Sequence, residues 1–180
     1  LSSAFVPTFT EYLAVKGKEE AARLANLVAT TVILLVGLIC ILGWWFAPEL
    51  ADVFAAGFRR TPGKHELAVH LTRIMFPFLL LVALAAQAMG ILNACNQFGV
   101  PALASSLFNV ISVSAGPVLG IWMGPSLGLQ PIEGMAWGVL LGGAGQLLWQ
   151  VPSLLQKGFS FRPAWDTAHA GLRQIFRMMG

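Results

Sequence analysis

Hydroxyl and amide side chains recur at helical spacing inside two long apolar stretches of the sequence. Ser105, Asn109 and Ser112 stand at i, i+4 and i+7, which places them on one face of an α-helix. Gln146 and Gln150 share a face of a later helix in the same way. Two interpretations remain open: these groups line a hydrated cavity that meets a polar substrate, or they form hydrogen bonds between packed helices.

No residues form a recognisable catalytic or metal-binding set. His65 and His70, with Glu66 between them, resemble a zinc-protease sequence, but that motif spaces its histidines four residues apart. A five-residue spacing turns them about 140° apart, so we interpret the segment as the solvated start of a helix. Cys40 and Cys95 have no further cysteine or histidine at ligand spacing. The sequence predicts a protein that is not an enzyme, with no catalytic residue, metal or cofactor.

Composition excludes several classes of protein. Hydrophobic residues make up 57% of the 180 residues and charged residues 11%, whereas a soluble domain is typically about 25% charged. The same values exclude a disordered chain, which needs low hydrophobicity and high net charge. The net charge is +3, but the basic residues are scattered, so nucleic acid is not an expected partner. A membrane protein is the class that remains.

Four stretches are long and apolar enough to cross about 30 Å of hydrocarbon as helices. An uncharged run from 74 to 132 is too long for one span, and turn-forming residues at Asn93, Asn96 and Pro101 divide it. The predicted fold is therefore an all-α polytopic membrane protein with full spans at about 24–46, 74–92, 102–123 and 134–155. The spans contain no ionisable residue, so these helices alone cannot form a proton relay or a voltage sensor.

Both ends of the chain are predicted to be helical. Residues 1–15 are typical of the end of a preceding helix, and 163–180 predicts an amphipathic helix that is either interfacial or leads into a further span. The apolar face of this helix would contain Ala168, Leu172, Ile175, Phe176 and Met179. We expect residues 1–180 to be an internal segment of one helical lobe, with the remainder of the same chain as a partner.

The distribution of basic residues predicts the orientation. Loop 11–23, turn 93–101 and tail 157–180 would share one side of the membrane, with these Lys and Arg residues: Lys16, Lys18, Arg23, Lys157, Arg162, Arg173 and Arg177. The other side would hold only Arg59, Arg60, Lys64 and Arg73. Cytoplasmic loops are enriched in Lys and Arg, so the first side is predicted to be cytoplasmic.

Glycine and proline predict how the spans pack and bend. Glycines at four-residue steps let helix backbones approach closely, and two such series occur in the third and fourth spans: Gly116, Gly120 and Gly124, then Gly134, Gly138 and Gly142. Pro77 and Pro117 lie inside spans, where each removes a backbone hydrogen bond and kinks its helix. Each proline would act either as a hinge between two access states or as a static kink.

Several short motifs carry a family resemblance in their order and spacing. They are residues 3–7 (SAFVP) with Glu11 and Tyr12, residues 72–77 (TRIMFP), residues 90–93 (GILN), and then Phe98, Pro101, Ala102 and Asn109. Together they resemble the MurJ (MviN) lipid II flippases, a branch of the multidrug/oligosaccharidyl-lipid/polysaccharide exporter superfamily.

The resemblance implies that the chain runs from the end of the second helix through the sixth helix of a protein with two pseudo-symmetric lobes. Such a protein would rock about a central cavity and carry an undecaprenyl-pyrophosphate-linked peptidoglycan precursor from the inner to the outer leaflet of the bacterial cytoplasmic membrane, for cell wall synthesis. The essential cationic residues of the family lie outside this segment. The implied roles here are supporting ones: Pro77 as a kink, residues 93–101 as a cytoplasmic turn near the inward gate, and Asn109 as a cavity or interhelix contact.

Two alternatives to lipid II transport remain open. One is a drug or polysaccharide exporter of the same superfamily, and the other is a non-transporting membrane scaffold subunit. A drug exporter would carry acidic cation-coupling residues where a flippase carries arginines. Membrane lipids are expected partners in each case.

Overall fold

The structure, a computed structural model, describes residues 2–166 and 169–179, and the regular structure of that part is helical throughout. In chain order its α-helices are α1 (Ser2–Val15), α2 (Lys18–Trp45), α3 (Ala47–Phe54), α4 (Lys64–Ala94), α5 (Gly99–Pro117), α6 (Gly124–Leu127), α7 (Pro131–Gln156) and α8 (Ala170–Met179). A 3₁₀ turn, Ala56–Arg60, follows α3. A π-helical segment, Val118–Trp122, continues α5.

Three helices in the described part are long and apolar enough to cross a membrane: Lys18–Trp45, Lys64–Ala94 and Gly99–Trp122. They contain most of the first three predicted spans, but two of them begin well before the predicted starts. The segment before residue 74 is helical from Lys64 onward, which agrees with the interpretation of the His65–His70 segment as the solvated start of a helix, and α2 begins at Lys18. Charged residues in the first turns of these helices are tolerated because they lie near helix ends. Glu19 and Glu20 in α2 interact favourably with the positive end of the helix dipole.

The fourth predicted span, 134–155, lies within α7. This helix has 26 residues, enough to cross about 30 Å at about 1.5 Å a residue. It is not among the three helices above, since its glycines and glutamines lower its mean hydropathy. Its first turn is fixed by a capping box, in which Glu133 Oε2 accepts the backbone N–H of Gln130 at 2.8 Å.

The predicted start of the C-terminal helix, at residue 163, is wrong. Residues 159–166 are not helical, and α8 begins only at Ala170. The reason is that α2 side chains satisfy the backbone of this segment: the Arg162 N–H donates to Asn26 Oδ1 at 3.1 Å, and the Ala164 N–H donates to Thr30 Oγ1 at 3.2 Å. Backbone donors bound in this way do not need a helix.

Two members of the predicted apolar face, Leu172 and Ile175, are buried against α1 and α2 within α8. Arg173 and Arg177 are exposed on the other face. The other predicted members of the apolar face, Ala168 and the side chains of Phe176 and Met179, lie outside the described residues.

The helices pack in a chain of neighbours in which α4 is central. It contacts α1, α2 and α7, and α7 in turn contacts α5 along its length. An aromatic cluster joins α1 to the segment after α7, with ring centroids 5.3 Å apart for Phe5 and Phe9 and 5.6 Å apart for Phe9 and Phe159. The chain is thus helical from Ser2 to Val15, and this helix packs into the bundle through Phe5 and Phe9.

Glycine faces bring α5 and α7 into backbone contact, as predicted. A Cβ added at Gly138 would stand 2.6 Å from the Cα of Gly116, and one added at Gly134 would overlap the backbone of Gly120. Hydrocarbon gives packed helices no hydrophobic advantage over lipid, so this pair depends on close van der Waals contact. Any side chain larger than hydrogen at these positions would separate the two helices.

We expect Gly138→Ala to lower the thermal midpoint of the purified protein in detergent, at a cost of about 1–3 kcal/mol from overpacking. Gly37→Ala is the matched control, because a Cβ at Gly37 meets nothing within 4 Å, so its midpoint should stay unchanged or rise. Equal midpoints for the two variants would show that the glycine contact does not hold α5 to α7.

Candidate functional site

The predicted polar stripe of α5 is divided between two environments. Ser105 and Asn109 are exposed, and Asn109 Nδ2 donates within the helix to the Ser105 carbonyl at 3.3 Å. Ser112 instead faces α7, where a Cβ on Gly142 would overlap its hydroxyl. Its Oγ is buried and makes no hydrogen bond within the described part of the chain. Ser105 and Asn109 therefore lie on the exposed surface of α5, whereas Ser112 is an interhelix contact.

A further exposed hydroxyl extends the surface of α5 around Asn109. We define the α5 polar face as Ser105, Ser106 and Asn109, which are exposed and lie within about 100° of one another around the helix. Exposed valines, Val110 and Val113, lie among them. Hydrocarbon offers no hydrogen-bond partner for such groups, so this face is suited to water, a polar ligand or another polar protein surface.

Two buried glutamines tie α4 to its neighbours. Gln150 on α7 is fully buried, and its Nε2 donates to the Ala85 carbonyl of α4 at 3.3 Å and to the Gln146 carbonyl at 3.1 Å. Gln87 on α4 is 4% exposed, and its Nε2 donates to the Ala25 carbonyl of α2 at 2.7 Å. Gln150 thus joins α7 to α4, whereas Gln146 contributes only its backbone carbonyl to this contact. The Gln87 contact was missed as a site, because its partner is a backbone carbonyl on a distant helix.

The two predicted kink sites differ in their local backbone. Pro117 ends α5, and the helix widens immediately after it, so that the Met123 N–H donates to the Val118 carbonyl at 2.9 Å across five residues. Such π-helical segments are frequent at functional positions. The helix α4 runs through Pro77 without interruption, and the neighbouring Phe76 carbonyl accepts a hydrogen bond from Cys40 Sγ at 3.0 Å.

The predicted turn at 93–101 is shorter than expected. Asn93 lies in the last turn of α4, and Pro101 lies in the first turn of α5. Asn96 has a left-handed φ of 55°, and the Gln97 N–H donates to the Leu92 carbonyl at 2.9 Å, which closes α4 with a Schellman motif. Pro101 starts a helix because its missing N–H has no intrahelical partner at that position.

A carboxylate on α3 organises the connection between α2 and α4. Asp52 accepts two hydrogen bonds from Arg59, one of them from Nε at 2.7 Å, and its Oδ1 lies 2.8 Å from His65 Nε2. The Arg59 guanidinium lowers the pKa of Asp52; desolvation opposes this shift, and the hydrogen bond with His65 adds to it. At this same end His70 Nε2 lies 3.4 Å from Glu133 on α7.

The opposite end of the bundle carries the net positive charge. Arg23 lies 3.2 Å from Asp166 and 3.9 Å from Glu20, and Lys18 Nζ lies 6.0 Å from the centroid of the Phe159 ring. All of the formal net charge of +3 belongs to this end, because the four Lys and Arg residues at the other end are matched by four acidic ones. Residues 2–166 and 169–179 contain no cluster of three metal-ligating side chains.

The comparison with known families matches the model described as lipid II flippase MurJ over residues 1–180. The chain belongs to the MurJ family of lipid II flippases. It is 30% identical over 179 residues to a probable lipid II flippase MurJ of Buchnera aphidicola from Acyrthosiphon pisum, which covers 99% of this chain and 34% of the relative.

Two further MurJ family members show the same relation. The lipid II flippase MurJ of Burkholderia cenocepacia is 29% identical over 182 residues, and the probable lipid II flippase MurJ of Vibrio cholerae is 31% identical over 185 residues. Each alignment covers 99% of this chain and 34% of the relative, so the chain spans about a third of the length of the curated relatives it matches. The resemblance stated from the motifs is confirmed.

Because the pKa of Asp52 is lowered in the folded state, its contribution to stability is present at neutral pH and is lost as the pH falls through that lowered value. We expect Asp52→Asn to lower the protection factors of the Ala56–Arg60 amides, which are exchange rates corrected for the intrinsic effect of pH, at pH 7. Acidification should lower them similarly in the unmodified protein. Glu49→Gln, a change at an exposed carboxylate of the same helix, should leave these amides unchanged. Equal protection in all three proteins would contradict the role of Asp52.

Proposed function

We propose that this chain is part of a transporter that moves lipid II, the undecaprenyl-pyrophosphate-linked peptidoglycan precursor, from the inner to the outer leaflet of the bacterial cytoplasmic membrane. The observation that carries the proposal is the family match over residues 1–180, with relatives named as lipid II flippases. The proposed role is transport by alternating access, with no catalytic step and no cofactor.

The segment would contribute four crossings, with α7 as the fourth. Between Glu133 near its start and Lys157 after its end, α7 has no charged residue. It packs beside α5 through the glycine faces and is joined to α4 by Gln150. A helix of this length that is tied to two apolar helices along its course is best accommodated across the bilayer.

The substrate's pyrophosphate would be bound elsewhere in the full-length protein. The apolar stretches 24–46, 74–92, 102–123 and 134–155 carry no charged residue that could neutralise it, and a charged headgroup cannot cross hydrocarbon without such groups. The segment would instead supply an uncharged wall, the α5 polar face, and the packing framework behind it. The remainder of the chain would then be its main protein partner.

The orientation follows from the charged ends. The end with Lys16, Lys18 and Arg23, together with turn 93–101 and tail 157–180, would face the cytoplasm, in accord with the enrichment of cytoplasmic loops in basic residues. The end with the Asp52 cluster would face outward.

Transport can be tested in cells depleted of other lipid II flippases and supplied with the full-length gene. The unmodified protein should restore exposure of lipid II on the outer leaflet, measured by its accessibility to an externally added reagent. We expect Asn109→Leu to slow this exposure about fivefold, which corresponds to one lost hydrogen bond of about 1 kcal/mol. Val110→Leu, a change at an exposed neighbour on α5, is the control.

Full lipid II exposure in the depleted cells without this protein would contradict the flippase function itself. Equal rates for Asn109→Leu and Val110→Leu, with transport intact, would contradict only the cavity role of the α5 polar face.

Orientation can be tested by cysteine labelling of the full-length protein with native Cys40 and Cys95 replaced by serine. An impermeant thiol reagent is added to cells whose inner membrane is intact. It should label Lys64→Cys and should label Lys157→Cys only after that membrane is permeabilised. Both positions are exposed, so access to the reagent depends on the side of the membrane. The reverse pattern would overturn the orientation.

A further inference from the structure

An apolar groove runs along the bundle between α2 and α7, with α4 as its floor. Its volume is about 270 Å³, and its walls include Ala25, Ala29, Ala88 and Val151. Phe159, from the segment after α7, lines the same groove. Alanines on α2 and α4 create the space, because larger side chains at these positions would fill it.

A second, polar cavity of about 520 Å³ adjoins this groove. It is lined by Lys18, Arg23 and Arg162, with Glu19 beside them, and the two cavities share Ala22, Asn26 and Ser160. The Arg162 backbone N–H donates to Asn26 Oδ1, which fixes the chain between the two cavities. We call this second cavity the cationic mouth of the groove.

The charges of the mouth are suited to an anion. Arg23 is paired with Asp166 and Glu20, so Lys18 and Arg162 are the main candidates to bind a ligand. The Lys18 ammonium stands at the junction, since a Cβ on Gly158 in the mouth would lie 2.6 Å from its Nζ and the Phe159 ring of the groove lies 6.0 Å away.

The length of the groove matches one leaflet of a bilayer. Its α2 wall runs from Ala22 to Ile33, about 16 Å at about 1.5 Å a residue. Half of a hydrocarbon core of about 30 Å is about 15 Å. A lipid chain that begins at the mouth would therefore end near the bilayer midplane, as an ordinary acyl chain does.

A buried acceptor in the groove points to a partly hydrated ligand. Gln87 lines the groove and is 4% exposed, and its Nε2 is bound to the Ala25 carbonyl. Its Oε1 is buried with no hydrogen-bond partner among the residues that the structure describes. Such an acceptor is costly in a purely hydrocarbon contact, but a hydroxyl or water near the ester region of a lipid would satisfy it.

We propose that the groove and its cationic mouth bind one anionic phospholipid, with the phosphate at Lys18 and Arg162 and one acyl chain between α2 and α7. The positive charge of this end selects an acidic headgroup, and the groove length selects a chain that spans one leaflet. This site is separate from the proposed transport function and does not depend on it.

The test is native mass spectrometry of the full-length protein, delipidated in detergent and titrated with dioleoyl phosphatidylglycerol or dioleoyl phosphatidylcholine. We expect phosphatidylglycerol to bind more tightly. Each basic residue near an anionic headgroup contributes about fivefold in affinity, so Lys18→Gln with Arg162→Gln should weaken this binding about 25-fold. The control removes two exposed charges at the opposite end, Arg60→Gln with Lys64→Gln, and should leave the affinity unchanged.

A second pair of variants tests the groove. Ala29→Trp places a large ring in the groove and should weaken phosphatidylglycerol binding at least tenfold, whereas Ile39→Trp, on an exposed part of α2 outside the groove, should not. Thermal midpoints of all variants establish that they are folded, and the mouth variants lie at exposed positions that tolerate substitution.

Three outcomes would overturn the proposal. Equal affinity for the two phospholipids would exclude a site that selects an anion. Equal losses in the mouth and control variants would assign the effect to overall charge. Displacement of phosphatidylglycerol by undecaprenyl pyrophosphate, with the same dependence on Lys18 and Arg162, would assign the site to the transported lipid.

Discussion

Hydrocarbon offers a polypeptide no hydrogen-bond partner, and this constraint determines how the helices are built and joined. Each crossing is a helix, which satisfies its own backbone, and its apolar stretch contains no charged residue. The polar side chains that remain inside the bundle are amides and hydroxyls. Gln87 and Gln150 donate hydrogen bonds from Nε2 to backbone carbonyls of neighbouring helices. These bonds link α2, α4 and α7 without a buried charge.

The same solvent removes the usual reason for helices to associate, because lipid tails are as apolar as leucine. Close contact therefore has to supply the attraction. The glycines of α5 and α7 allow backbone contact at Gly116 and Gly138, whereas alanines on α2 leave an open groove where α7 does not approach. Small residues thus have two different effects around α7. They allow close packing on the side where α5 lies against it, and they leave an open groove on the side where α2 stays apart.

Much of this architecture was predictable from the sequence, because charge, glycine spacing and apolar length are local properties. The apolar parts of α2, α4 and α5 and the glycine contact followed from them. Two features did not: the separation of Ser112 from Asn109, and the non-helical course of residues 159–166. Both depend on partners distant in the sequence. Asn26 and Thr30 satisfy the backbone of the later segment, and no periodicity within 159–166 indicates that.

The helix α7 separates the two surfaces to which we assign functions. Gly134, Gly138 and Gly142 face α5, whereas Leu147, Val151 and Leu154 line the groove beside α2 and α4. At about 100° a residue these two sets lie on opposite sides of the helix. A lipid in the groove would thus contact α7 on the side away from the α5 polar face. Substitutions on the two faces lie on opposite sides of α7. When they are combined, their effects on lipid affinity should be additive, and so should their effects on the transport rate.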